Sequence, residues 1–188
     1  MMQRLGRLIL RLGGWEMVGE IPPLDKAVFI AAPHTSNWDG FWFIVYKFAI
    51  DVKVSFLGKH TLFWWPLGRL LSGLGCIPVD RSAASDIVTQ LVNAFEKQDH
   101  LFLALAPEGT RKWKPHWKTG FYRIAKAAGV PIVLAFIDYH ERRIGIGPIL
   151  PDSGSVAGDL EYLKDYYTRF EGRRPELQGP VAFPDDAF

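Results

Sequence analysis

The sequence predicts an α/β fold: a single domain with a mostly parallel β-sheet flanked by helices, opened by an N-terminal amphipathic helix. Three observations predict it. Short apolar runs alternate along the chain with segments of helical periodicity, the pattern of strand–helix–strand units. The 188 residues suit one domain with a sizeable core. No internal repeat, linker or low-complexity block divides them. The expected organisation is an amphipathic segment over 1–20, the α/β domain over 21–175 and a peripheral tail over 176–188.

The elements follow in order. In "MMQRLGRLILRLGG", Arg4, Arg7 and Arg11 recur at helical spacing, and Leu5, Leu8, Ile9 and Leu12 follow i, i+3, i+4, i+7. At about 100° per residue the two sets occupy separate faces. Such a helix lies in an anionic membrane surface, or packs on its own domain with solvated arginines; the pattern leaves both open. "KAVFIAAP" (26–33) is a buried strand ended by proline. "SNWDGFWFIVYKFAI" is a helix capped by Ser36 or Asn37, with Asp39 in its first turn. A strand over 52–58 precedes a broken aromatic helix over 62–75, and "CIPVD" (76–80) is a short strand. Residues 85–98 form a capped amphipathic helix and 100–109 a strand ending at Pro-Glu-Gly. A helix over 119–129 ends at glycine. Strands over 130–139 and 142–150 and a helix over 158–170 complete the domain, and the polar chain from Glu171 reads as peripheral.

Composition narrows the function. A formal net charge of +2 gives little to nucleic-acid binding. The one cysteine, Cys76, excludes an internal disulfide framework and a cysteine-based zinc site, and in its apolar strand it reads as inert. Seven Trp and thirteen Phe suit either a large aromatic core or a membrane boundary. No apolar run is long and unbroken enough to span a bilayer, and the arginines make the N-terminus a poor secretory signal.

Polar clusters fall at the C-terminal ends of three strands, where ligands bind in open sheets of this class. They are "PHTSNWD" after 26–33, Asp80-Arg81 after 76–80, and "PEGTR" (107–111) after 100–109. A histidine at a strand end and an aspartate in the first turn of the next helix can fold onto one another. The carboxylate of Asp39 then fixes the tautomer of His34 and leaves its other ring nitrogen free to take a proton. Alternatively, Asp39 only favours the helix N-terminus and His34 is a loop residue. No nucleophile stands at a recognisable spacing: Ser72 lacks a G-x-S-x-G elbow. As a base, His34 would therefore activate a hydroxyl on a bound substrate, with no covalent intermediate on the protein. In "APEGTRKWK", Gly109 permits a tight turn, Thr110 and Arg111 suit a phosphate, and Lys112, Lys114 and Arg81 add positive charge. Glu108 would be repelled by a phosphate, so it either orients an arginine or bonds a substrate hydroxyl. The bland alternative is a surface turn with a weak Glu–Arg pair.

Together the blocks resemble the glycerolipid acyltransferases, the glycerol-3-phosphate and lysophosphatidic acid acyltransferase family. "HTSNWD" resembles their H-x-x-x-x-D block, and "GKHTLFWWPLGRLLSGLGCIPVDR" (58–81) their second block, with Lys59 near its start and Arg81 at its close. "APEGTR" resembles the third block and "KTGFYRIAKAAGVPIVLA" (118–135) the stretch into the fourth, with Pro131 as its proline. Four blocks in family order span about 30 to 135. The resemblance implies His34 as general base with Asp39 as its partner, and Arg81, Glu108, Gly109, Thr110 and Arg111 around the acceptor phosphate. It implies an acyl thioester of coenzyme A or acyl carrier protein as donor, and lysophosphatidic acid or a related lysophospholipid as acceptor. It implies no metal and no cofactor, and a cytoplasmic protein associated peripherally with an anionic membrane surface. The sequence departs from the family pattern at Pro33, Ala106, Lys112 and Leu134, which bears on the acceptor and leaves the pair intact. Two other readings remain: a catalytically silent lipid-binding protein of the same fold, and a (thio)esterase in which His34 activates water.

Overall fold

The structure, a computed structural model, describes residues 1–79, 84–185 and 187, and for 84–86 the backbone alone. Its strands are β1 (Glu16–Val18), β2 (Lys26–Ala32), β3 (Ser55–Lys59), β4 (Cys76–Val79), β5 (Leu101–Leu105), β6 (Ile132–Asp138) and β7 (Arg143–Ile149). Its helices are α1 (Met2–Leu12), α2 (Asn37–Ile50), α3 (Leu67–Gly73), α4 (Ala84–Lys97), α5 (Gly120–Ala128) and α6 (Val156–Tyr167). Among the described residues the strands form one seven-stranded sheet in the order β1-β7-β6-β2-β5-β3-β4. Only the β6–β7 junction is antiparallel, so β2 to β6 run one way and β1 and β7 the other. The predicted mostly parallel α/β architecture is the one found.

The central strand β2 shows why the sheet is covered on both faces. Its residues are apolar without alternation, as expected where neither face meets water. Val28, Ile30 and Ala32 pack into one core with Leu91 and Phe95 of α4, Phe121 and Ile124 of α5, and Leu163 and Tyr167 of α6. Ala27 and Phe29 point the other way, into a core with Leu10 of α1 and Val45, Tyr46 and Ala49 of α2.

On that second face α1 crosses α2 closely. A Cβ on Gly6 would stand 2.7 Å from the Ala49 backbone nitrogen, so only glycine permits the approach. Arg7 donates from Nε to the Ala49 carbonyl at 3.1 Å. The buried side of α1 is Gly6 and Leu10, while Leu5, Leu8 and Leu12 of the predicted apolar stripe are exposed. Among the described residues no helix is long and apolar enough to cross a membrane.

Two features go beyond the sequence reading. The segment 1–20 contains β1, which joins the sheet beside β7. The C-terminal stretch returns to the domain: Trp117 N–H donates to the Ala182 carbonyl at 2.8 Å, and Phe183 is buried against Phe121 and Tyr122. An aromatic residue this deep in the core ties down a segment that polarity and proline content make look peripheral.

Candidate active site

Because β2 to β6 run in one direction, their C-terminal ends form one edge, and two of the predicted polar clusters, those after β2 and β5, meet there, while Asp80-Arg81 lies outside the described residues. His34 follows β2. Ser36 caps α2, and Asp39 is the third helical residue. Side chains lean toward the N-terminus of their helix, so the Asp39 carboxylate turns back over the preceding loop. Its Oδ2 accepts from the N–H groups of Thr35 and Ser36, each at 2.8 Å, and the bond from Ser36 completes a capping box. The same oxygen lies 3.2 Å from His34 Nδ1. Asp39 therefore caps the helix and orients the histidine at once.

The other oxygen of Asp39 is also used: Tyr139, just past β6, donates its hydroxyl to Oδ1 at 2.7 Å. Burial by itself would raise the pKa of Asp39. The bonds from His34, Tyr139 and Ser36 outweigh it and hold the carboxyl below its ordinary value. A carboxylate that stays ionised favours a proton on Nδ1 of His34 and leaves Nε2 free as a base.

The Pro107–Arg111 turn approaches from β5. Gly109 has a φ of +63°, the left-handed region that favours glycine, and its open side lies against the Lys118 side chain. Thr110 and Arg111 line a cavity of about 830 Å³ together with His34 and Asp39. Lys118 and Arg123, which sequence reasoning did not select, line it too, and so do the apolar Phe29, Phe43, Ile50 and Leu105.

Glu108 has a partner the sequence does not announce. Among the described residues it bonds no arginine, and it does not line the cavity. Buried beneath the turn, it accepts the His34 backbone N–H on Oε1 at 2.8 Å. Among the described residues its Oε2 has no hydrogen-bond partner, and burial raises its pKa. A carboxylate at a strand end, shut away from water, takes the nearest free N–H, and that belongs to His34. Its place is thus behind the histidine.

The remaining predicted residues are more scattered. Lys59 is exposed at the C-terminal end of β3, on the same edge of the sheet. Arg81 lies outside the described residues. Pro131 stands at the opposite end of the sheet: its carbonyl accepts from Val28 N–H at the start of β6, roughly 20 Å along the strands from His34. Cys76 is buried, which raises its thiol pKa, and it lines no part of the cavity. Thr35 and Tyr139 were missed. The one available signal for Tyr139 was a polar Asp-Tyr-His sequence closing a strand on this same edge.

A histidine–aspartate pair beside a pocket that joins cations to apolar walls is an arrangement able to take a proton from a bound hydroxyl and to hold a ligand with a charged head and an apolar chain. Comparison with known proteins gives the same direction. Residues 16–137 match the model of the Acyltransferase family. The chain is 29% identical over 128 residues to the 1-acyl-sn-glycerol-3-phosphate acyltransferase of Escherichia coli (strain K12), covering 64% of this chain and 50% of that protein. It is 30% identical over 117 residues to the Haemophilus influenzae protein of the same name, covering 58% and 47%. The chain thus spans about half the length of these curated relatives. The crystal structure of the 1-acyl-sn-glycerophosphate acyltransferase of Thermotoga maritima superposes with a TM-score of 0.58 at 18% identity, covering 89% of this chain and 76% of that one. That likeness is one of fold.

Proposed function

The chain belongs to the acyltransferase family, and from that premise we propose that it transfers an acyl group from a thioester to the hydroxyl of a lysophospholipid at a membrane surface. The observation that carries the reading is the His34–Asp39 pair, 3.2 Å apart and facing a cavity with both cationic and apolar lining.

In this mechanism Nε2 of His34 takes the proton of the acceptor hydroxyl as its oxygen attacks the thioester carbonyl. Asp39 stabilises the imidazolium. The tetrahedral adduct collapses, the C–S bond breaks, and the thiolate takes the proton from Nε2. The products are an ester and a free thiol, and no bond to the protein forms. Arg111, with Lys118 and Arg123, holds the acceptor phosphate. The donor is an acyl thioester of coenzyme A or acyl carrier protein. Support for a membrane surface comes from the exposed Leu5, Leu8 and Leu12, flanked on α1 by exposed Arg4 and Arg11.

Incubation of wild type and His34→Ala with labelled acyl thioesters of both carriers and a panel of lysolipids tests this. Wild type is expected to make an acylated lipid, and the variant to make it ~10²–10⁴-fold more slowly. Free fatty acid as sole product would replace transferase with hydrolase. Vesicle binding without any product would leave a lipid-binding protein.

A further inference from the structure

The second oxygen of Asp39 is held by a part of the chain outside the family-matched region. The match ends at residue 137, and Tyr139 lies beyond it. Its hydroxyl reaches Asp39 Oδ1 at 2.7 Å across a sequence separation of 100 residues. Its ring is fixed by the edge of Trp15, with centroids 5.0 Å apart and planes at 82°.

The backbone under Tyr139 is fastened from farther still. Tyr139 N–H donates to the Glu171 carbonyl at 2.9 Å. The buried Asp138 accepts from the N–H groups of His140 and Glu171 on a single oxygen, at 3.0 and 3.3 Å. From there the chain crosses the catalytic loop. A Cβ on Gly172 would lie 2.8 Å from Thr35 Oγ1, and Arg174 N–H donates to that same oxygen at 3.1 Å. Between them Arg173 sets its guanidinium over the Trp38 ring, 5.2 Å from its centroid, close enough for its charge to act on the Tyr139 hydroxyl. The stretch 171–174 thus touches the loop before Asp39, the helix that carries it and the tyrosine that holds it.

We propose that Tyr139, braced by Arg173 and the crossing segment 171–174, is a positioning residue that fixes the rotation of the Asp39 carboxylate and through it the His34 ring. The physical reason is simple. Backbone N–H groups and the imidazole all hold Oδ2, so the carboxylate can still tilt about that one anchored oxygen. A donor on Oδ1 closes that freedom. A fixed carboxylate keeps Oδ2 opposite Nδ1, so the proton stays there and Nε2 faces the cavity. Tyr139 touches no reacting atom in this account, and the proposal rests on the general-base role of His34.

The test uses the full chain with Tyr139→Phe, which removes one hydroxyl and keeps the ring against Trp15, and with Arg173→Gln, an exposed change. Two readouts are taken. Long-range 1H–15N NMR of the substrate-free protein reports which ring nitrogen of His34 carries the proton. Steady-state acyl transfer gives kcat and KM separately. Tyr139→Phe is expected to lower the share of the Nδ1–H tautomer and to reduce kcat roughly ten-fold, a fraction of the whole general-base contribution, with KM within about two-fold. Arg173→Gln should move both in the same direction and less far, and Arg173→Lys should restore part of the loss. An unchanged His34 tautomer in Tyr139→Phe overturns the proposal, whatever the enzyme assay gives. A shifted tautomer in a protein that makes no acylated lipid keeps the positioning role and removes the proposed reaction instead.

Discussion

Asp39→Asn separates the two jobs that one carboxylate performs. The amide can keep its oxygen where Oδ2 now accepts from Thr35 and Ser36 at 2.8 Å, so the helix cap survives. What it loses is charge. Hydrogen bonds to a charged acceptor are worth about 1.5–3 kcal/mol against about 0.5–1.5 for neutral ones, so the two backbone bonds weaken by about 1 kcal/mol each. The anion at the helix N-terminus contributes a further ~0.3–1 kcal/mol, and relief of the burial penalty works against both. A net loss of about 1–2 kcal/mol follows, a melting shift of several degrees for a chain of this size. Catalysis should suffer far more. Without an anionic partner the imidazolium formed in the transition state is unsupported, which costs ~10²–10⁴-fold in kcat.

The assay is a thermal melt beside an acyl-transfer time course at neutral pH. A folded Asn variant within about three-fold of wild-type kcat would refute the orienting role and leave Asp39 a helix cap. Acid adds a second check. The Asp39 carboxyl titrates below its ordinary 3.8, so the stability it gives is complete above that pH and fades as pH falls through the lowered value. The gap in melting temperature between wild type and Asp39→Asn should therefore close below pH 3.8.

Three other changes probe the frame around the site. Gly6→Val drives a Cβ to 2.7 Å from the Ala49 nitrogen and 2.9 Å from the Val45 carbonyl, both backbone, so urea unfolding should show a loss of about 2 kcal/mol; an unchanged midpoint would mean that α1 does not dock there. Asp51→Gly should stabilise by about 1 kcal/mol, since Asp51 ends α2 with a φ of +58° and an acidic side chain at the negative end of the helix; a drop in melting temperature would contradict this. Replacing Leu5, Leu8 and Leu12 together by serine should weaken sedimentation with anionic vesicles at least ten-fold, because these side chains are exposed, while the fold stays intact. Equal binding would shift attention to the exposed Trp64 and Trp65.

Periodicity made much of the fold legible, and the parts it hid have physical reasons. The run 26–33 and the helices at 85–98 and 119–129 were readable because burial on both faces, or on one stripe, leaves a pattern in the local sequence. β1 is three residues long and exists through its pairing with β7, more than 120 residues away, so no local pattern announces it. In α1 the stripe Leu5, Leu8, Ile9 and Leu12 is real, yet the docked side is Gly6 and Leu10. A hydrophobic stripe tells which residues avoid water in isolation. Which side meets a neighbouring helix depends on how closely the backbones approach, and glycine at position 6 decides that. The contact of Glu108 with His34 and the whole role of Tyr139 were missed for a related reason. One bonds a backbone N–H and the other a carboxylate 100 positions away, and neither contact has a sequence period.

The His34–Asp39 pair was legible because its spacing is itself a consequence of helix geometry. Ser36 is the cap, so Asp39 falls at the third helical position, the one from which a short carboxylate reaches back to the N–H of the cap. That same reach brings it to the N–H of Thr35 and, one residue earlier, to the ring of His34. Moving the aspartate by one position would rotate it about 100° around the helix axis and carry it away from all three partners. Four intervening residues are thus what a strand end, a cap and a third helical position require. The spacing identifies a helix start that can hold an imidazole. Whether that imidazole works as a base depends on groups that arrive from elsewhere: Glu108 behind it, Tyr139 on the far oxygen, and the cations of the cavity in front.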